Sequence, residues 1–423
     1  MSVRTRLMPY PEKRALENAA FTLGLVPTGI HTVLLPVWCA EVRATVTEGQ
    51  PYELIDRFIE RGVADGGLGS AEELASFLAL DPALVRQALA FLTAIDHVTE
   101  QDGRIALTEL GRRSVWDGTR YTVTRDDRRR LYFDGFQSRP LTAAHYTSAT
   151  VTLLSGDEPV PEGDPGSMPP WLMPLPLMPR VFRPEAVLEL ADHPRRAHFN
   201  LPPGIENPEC VGVPECLHLP AYAVRAVEGD GRVRHLVYTQ AHDGEHDADL
   251  SAACEETPEF VTILWNEETG AAPRIGERIG KWLSRRELAQ YPPVRDRHGA
   301  WRVTLPPDRF LGEGPVGPAD VGSYVVLGGA FFQLWCTDRD ARAWALVERL
   351  DACLGARLRR DPGDVRARVE SLCRQLELGP VGLDTLCRAA GQAGKHRLAE
   401  RLRDARSAEQ EQEQEQAIRK RRK

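Results

Sequence analysis

The chain has 423 residues and a formal charge of −8, with 42% hydrophobic and 27% charged residues. That length exceeds one ordinary core and predicts two to four domains at roughly 100–200 residues each, and the composition excludes disordered and fibrous classes. The acidic balance excludes a protein coated in nucleic acid, though a local basic patch is compatible with it.

Nowhere do about 18 apolar residues run together, so no membrane span is expected. The N-terminal stretch is broken by Glu17, Asn18 and two prolines and does not read as a signal peptide. The eight cysteines, Cys210 and Cys216 being the nearest pair, fit neither a disulfide framework nor a CxxC zinc module. Reduced thiols in a cytoplasm are the expectation. Forty-eight arginines stand against five lysines, and no GK[ST] phosphate loop occurs.

In chain order, residues 1–50 read as a helix and a strand, the strand lying in "VLLPVWCAEVRATV" at 33–46. "YELIDRFIERGVADGG" follows, with Leu54, Ile55, Phe58, Ile59 and Val63 on one helical face and Gly66-Gly67 as the stop. In "SAEELASFLALDPALVRQALAFLTAIDHV", Ser70 and Glu73 form a capping box and Leu74, Phe77 and Leu78 face inward. Asp81-Pro82 restarts the chain as N-cap and first-turn proline, and Val85, Leu89 and Leu92 make the stripe of a second helix. "VTEQDGRIALTELG" then reads as a hairpin turning at Asp102-Gly103.

Residues 52–115 carry those signals together and resemble a winged helix-turn-helix domain of the MarR/ArsR type, within a winged-helix segment drawn at 51–117. The resemblance implies a DNA-reading, dimerising or protein-docking module. The charge count disfavours DNA reading. Residues 51–115 hold six arginines against eleven carboxylates, and the second helix offers only Arg86 and Gln87 near its start. The sign reverses next. Residues 111–139 carry eight arginines against four aspartates, with Tyr121, Tyr132 and Phe133 interleaved. The expected nucleic-acid contacts are therefore Arg86, Gln87, Arg104, Arg112, Arg113, Arg125, Arg128, Arg129 and Arg130. The alternative is a solvated hairpin whose arginines pair with neighbouring acids.

Residues 118–154 are expected to hold that basic hairpin, "RYTVTRDDRRRLYFDGFQSRPL", and 155–180, with eight prolines, a linker or strap. Residues 181–337 read as an α+β body. Its expected parts are a hairpin in "AYAVRAVEGDGRVRHLVYTQ", strands in "EFVTILW" and "AWRVTLP", a helix near 279–289, and two strands around Gly328-Gly329 in "SYVVLGGAFFQLWCT". Residues 338–408 are helical by period, and 409–423 form a polar tail ending in "RKRRK". The fold class predicted is α+β multidomain: N-terminal winged helix, β-rich middle body, C-terminal helical region.

"AHDGEHDADL" brings His242 and His246 near three aspartates and a glutamate, weak candidates for a metal. Gly244 between them favours a polar loop, and no metal or other cofactor is expected. Cys210, Cys216 and His218 are a weaker cluster still. No GxSxG elbow and no GxGxxG after a strand occur, which lowers the expectation of an enzyme, although triad members need only meet in space. The reading is a non-catalytic, nucleic-acid-associated or partner-docking subunit of a bacterial multicomponent system, antiviral defence being one setting. Its partner would be a protein or a second copy met through the winged helix, with DNA as a further candidate. The rivals are a ligand-responsive regulator and an enzyme with its site in 181–337.

Overall fold

The computed structural model describes residues 8–101, 103–155, 175–311, 315–355 and 362–421. It is a mixed α+β protein. From the N-terminus come helix α1 (Glu12–Glu17), strand β1 (Val26–Gln50), helices α2 (Leu54–Ala64), α3 (Ala71–Leu78) and α4 (Pro82–Ala94), strands β2 (Val98–Gln101) and β3 (Arg104–Leu107), and helix α5 (Glu109–Asp117). Strands β4 (Arg120–Asp134), β5 (Leu154–Ser155) and β6 (Leu175–Pro176), helix α6 (Glu185–Ala191), strands β7 (Ile205–Val227) and β8 (Val233–Thr239), and helices α7 (Ala248–Glu255) and α8 (Pro258–Ser284) follow. The remainder is β9 (Val294–Arg295), β10 (Trp301–Thr304), α9 (Asp308–Leu311), β11 (Tyr324–Val326), β12 (Phe331–Trp335), α10 (Arg339–Gly355), α11 (Pro362–Gln375), α12 (Leu383–Gln392) and α13 (His396–Arg421). Among the described residues no helix is long and apolar enough to cross a membrane. Most of the proline-rich segment expected at 155–180 lies outside the described residues, as does Asp102 of the expected hairpin turn.

The chain forms two compact units, each assembled from separate stretches: residues 1–36, 148–179 and 217–423, and residues 37–147 with 180–216. In the second unit β1 pairs antiparallel with β4 from Val37↔Asp134 to Gln50↔Arg120. The hairpin expected within 120–141 is thus one continuous strand whose partner lies some 80 residues upstream. Midway along it, Ala44 faces Asp127 and Val46 faces Thr124, so Arg125 and Asp126 together oppose Thr45. That is a β-bulge, and within it Asp126 takes a left-handed φ of 64°. Alternate residues of the two strands, Ala40, Val42, Ala44, Leu131 and Phe133, are buried against Ala186, Val187 and Leu190 of α6.

In the first unit β7 and β8 form the expected hairpin, Ala221↔Thr239 to Val227↔Val233. Strands β11 and β12 turn at Gly328-Gly329 with φ of 61° and 71°, and Leu327 N closes the turn on Ala330 O at 2.6 Å. Both glycines are needed, since a two-residue turn of this hand puts both central residues at positive φ. The main core joins Ile279 and Leu283 of α8, Val303 of β10, Phe332 and Leu334 of β12, and apolar faces of α10 to α13. Each such side chain contributes about 1.5–3 kcal/mol on full burial.

Two expectations change here. "EFVTILW" is not a strand but the first turns of α8, and the helix expected at 279–289 begins at Pro258 and ends at Ser284. Only Phe260 and Leu264 of that apolar run are buried, one turn apart, while Trp265 is exposed. Pro258 opens the first turn, and Thr262 Oγ1 bonds back to its carbonyl at 2.7 Å. A run rich in β-branched residues reads as a strand until the twenty residues after it supply a helical face. The tail reads as polar low complexity, yet α13 continues to Arg421, since glutamate, glutamine and alanine favour a helix.

Thr47 N of β1 donates to Gly204 O at 2.8 Å, just before β7. A Cβ at Gly204 would collide with the Thr47 carbonyl, which is backbone and cannot swing aside. Gly204→Ala is therefore expected to cost about 1–3 kcal/mol, read as a lower denaturant midpoint with unchanged slope.

Candidate interaction surface

Helices α2 to α5 with the β2–β3 hairpin form a small body around Ile59, Leu74, Val85, Leu89, Leu92, Val98 and Leu107. Local chemistry places these elements. Ser70 Oγ accepts from Glu73 N at 3.2 Å, while the Glu73 carboxylate reaches Gly69 N at 2.8 Å rather than the Ser70 amide. Asp81 caps α4 through Ala83 N at 2.7 Å, and Thr108 caps α5 through Gly111 N at 3.1 Å.

Three apolar side chains expected inside face solvent. Leu54 is 69% exposed, Phe58 50% and Phe77 70%. The stripe drawn from helical spacing is wider than the core it meets, because α2 turns Asp56 and Glu60 inward beside Ile59. Trp116, on α5, is 90% exposed.

The inward acids belong to a polar network that the sequence did not flag. Glu60 and His97 are wholly buried, with His97 Nδ1 at 2.5 Å from Glu60 Oε1. Tyr52 Oη donates to Glu60 Oε2, and His97 Nε2 meets the Tyr121 carbonyl. A carbonyl only accepts, so Nε2 carries a hydrogen, and Nδ1 lies within hydrogen-bond distance of the Glu60 carboxylate. Beside them Asp56 accepts from Arg120 at 3.1 Å, and Arg120 also reaches Gln50 Oε1 at 3.0 Å. The two groups of bonds tie α2 and the turn before β2 to the ends of β1 and β4. The sequence signal was a carboxylate at each of two positions one turn apart, beside the apolar face of an amphipathic helix.

The arginines expected to meet nucleic acid lie on this body and on β4, and most face a carboxylate of the same chain. Arg86 lies 3.8 Å from Glu72, Arg112 3.1 Å from Glu109, Arg113 3.7 Å from Asp117 and Arg125 3.3 Å from Asp96. Arg128 reaches Glu41 at 3.5 Å, and Arg129 reaches Asp127 at 2.5 Å and Glu48 at 3.3 Å. Arg104 and Arg130 make no ion pair among the described residues, and Gln87 is exposed on α4 beside Arg86. Such exposed pairs add little stability, but they cancel the positive field that the one-dimensional count suggested. Between α2 and α5 lies a half-open cleft of about 240 Å³ lined by Tyr52, Arg57, Arg61, Asp65, Val115, Trp116 and Gly118.

The remaining candidates separate. His242 Nε2 lies 3.3 Å from Asp247, whose hydrogen bond holds the imidazole above its ordinary value. Burial pushes His246 down, and its ring packs edge-on to Tyr238. Asp247 itself caps α7 through Leu250 N at 3.0 Å. Cys210 and Cys216 sit six positions apart on strand β7, roughly 20 Å for extended chain, too far to share an ion. No protein-family model, curated protein or solved structure matches the chain.

Burial alone would lower the His97 value, but its bonds to Glu60 and the Tyr121 carbonyl, with the charge of Glu60, raise it above 6.5. A histidine raised on folding stabilises the fold fully below that ordinary value and loses the contribution as pH climbs through the folded one. The melting temperature should therefore fall as pH rises above 6.5, with a shallower slope in His97→Gln. Glu60→Ala, which strands a buried imidazole, should cost about 3–5 kcal/mol at neutral pH in equilibrium unfolding.

Proposed function

We propose that residues 52–115 are a winged-helix unit that docks a protein partner, within a non-catalytic subunit of a bacterial multicomponent system such as antiviral defence or gene regulation. One observation carries this reading. On the same small body Leu54, Phe58, Phe77, Leu84, Phe91 and Trp116 are exposed, while Arg86, Arg112 and Arg113 are matched by acids of their own chain. Covering one exposed leucine or phenylalanine on binding is worth about 1.5–3 kcal/mol, and charge depletion with aromatic enrichment marks the core of protein interfaces. A duplex reader needs the reverse, a net positive face with polar side chains at the start of its recognition helix. Of the arginines expected to meet nucleic acid, Arg104 and Arg130 are the two with no ion pair among the described residues, and any such contact would fall to them.

Tagged protein expressed in its source cells should retain a partner that the doubly substituted Phe58→Ser, Trp116→Ser chain, of equal melting temperature, releases. Duplex DNA should bind weakly, without sequence preference, and be indifferent to Arg86→Ala plus Gln87→Ala. Sequence-selective duplex binding abolished by that pair would replace docking with DNA reading. A loss of binding in Arg128→Ala, Arg129→Ala, Arg130→Ala would move the nucleic-acid surface to β4.

A further inference from the structure

The cleft between α2 and α5 has the composition of an interface hot spot, which favours tryptophan, tyrosine and arginine. Arg57 and Arg61 stand one turn apart on α2 and so share a face. Arg61 shares its charge with Asp65 at 3.0 Å, both side chains being more than half exposed, and Arg57 makes no ion pair among the described residues. The cleft is thus locally positive on a body whose own count is negative. Val115 supplies an apolar wall, and the Trp116 ring stands free beside the guanidinium groups.

We infer that this cleft anchors the docking surface by taking a carboxylate-bearing segment of the partner protein, an aspartate or glutamate next to an apolar side chain. The inference rests on the docking reading above. A guanidinium holds a carboxylate by two parallel hydrogen bonds, and the indole covers the neighbouring apolar group. A nucleic-acid backbone would bring many charges towards the eleven carboxylates of residues 51–115, whereas a short acidic segment brings one or two.

The test uses the full chain labelled with 5-fluorotryptophan, its Trp116 fluorine resonance assigned by Trp116→Phe. The probes are a capped leucine-glutamate-phenylalanine tripeptide, its glutamine analogue, inorganic phosphate and a short DNA duplex. The acidic peptide should shift the Trp116 resonance saturably, and the glutamine analogue should bind about tenfold more weakly. Arg57→Gln with Arg61→Gln should remove that difference while leaving the melting temperature unchanged. Equal binding of the two peptides, or no shift with either, overturns the carboxylate assignment. So does a stronger response to phosphate or duplex, or a shift that follows protein concentration alone and reports a second copy. If the peptides fail yet Phe58→Ser, Trp116→Ser still releases the captured partner, docking stands and only the acidic anchor falls.

Discussion

A strand of twenty-five residues is the constraint on which the rest of this structure depends. Extended backbone of that length, roughly 80 Å, exposes a donor and an acceptor at nearly every position, and each must find a partner if it is to be buried. Strand β1 meets the demand piecewise. From Val37 onward it pairs with β4, and at Val33 and Leu34 it pairs with β6. The twenty-three-residue β7 repeats the solution, pairing with β8 over its last seven residues, Ala221 to Val227. Both units therefore recruit segments far apart in sequence, and the helical body of 54–117 is an insertion between two paired strands, β1 and β4.

That insertion is fastened by charge. Asp56, Glu60, His97 and Arg120 are all buried, and each would be costly alone. Together with Tyr52 and Gln50 they bond to one another across the junction where both ends of the insertion meet the sheet, with Arg120 Nε left without a hydrogen-bond partner among the described residues. An apolar junction would bind as tightly but slide more easily, whereas hydrogen bonds between named atoms fix one angle. A docking body gains from that rigidity, since its exposed aromatic side chains are then presented in a single arrangement.

The surface follows from the same geometry. Arg128 and Arg129 neighbour one another in sequence but point to opposite faces of β4, so the run of three arginines never forms a single patch. The pairing with β1 brings Glu41 and Glu48 within reach of them. A charge count along the chain sums residues that the strand separates and omits residues that its partner supplies. The local positive spot falls instead at Arg57 and Arg61, inside the most acidic stretch of the count.

Signals confined to a turn or two of chain were legible in advance: the caps at Ser70 and Asp81, the Gly328-Gly329 turn, the β7–β8 hairpin and the helical period after residue 338. Their physics is local, set by one side chain and the amides beside it. By itself, then, the sequence determined where most helices begin, where the tight turns fall and that the protein mixes helix with sheet. Tertiary structure alone decided that 120–134 pairs with β1, that Phe260 lies in the first turn of a helix, that Phe58 and Phe77 face out, and that Glu60 and His97 meet in the interior. Those outcomes depend on which distant surface arrives opposite each residue, and no window of sequence contains its own partner.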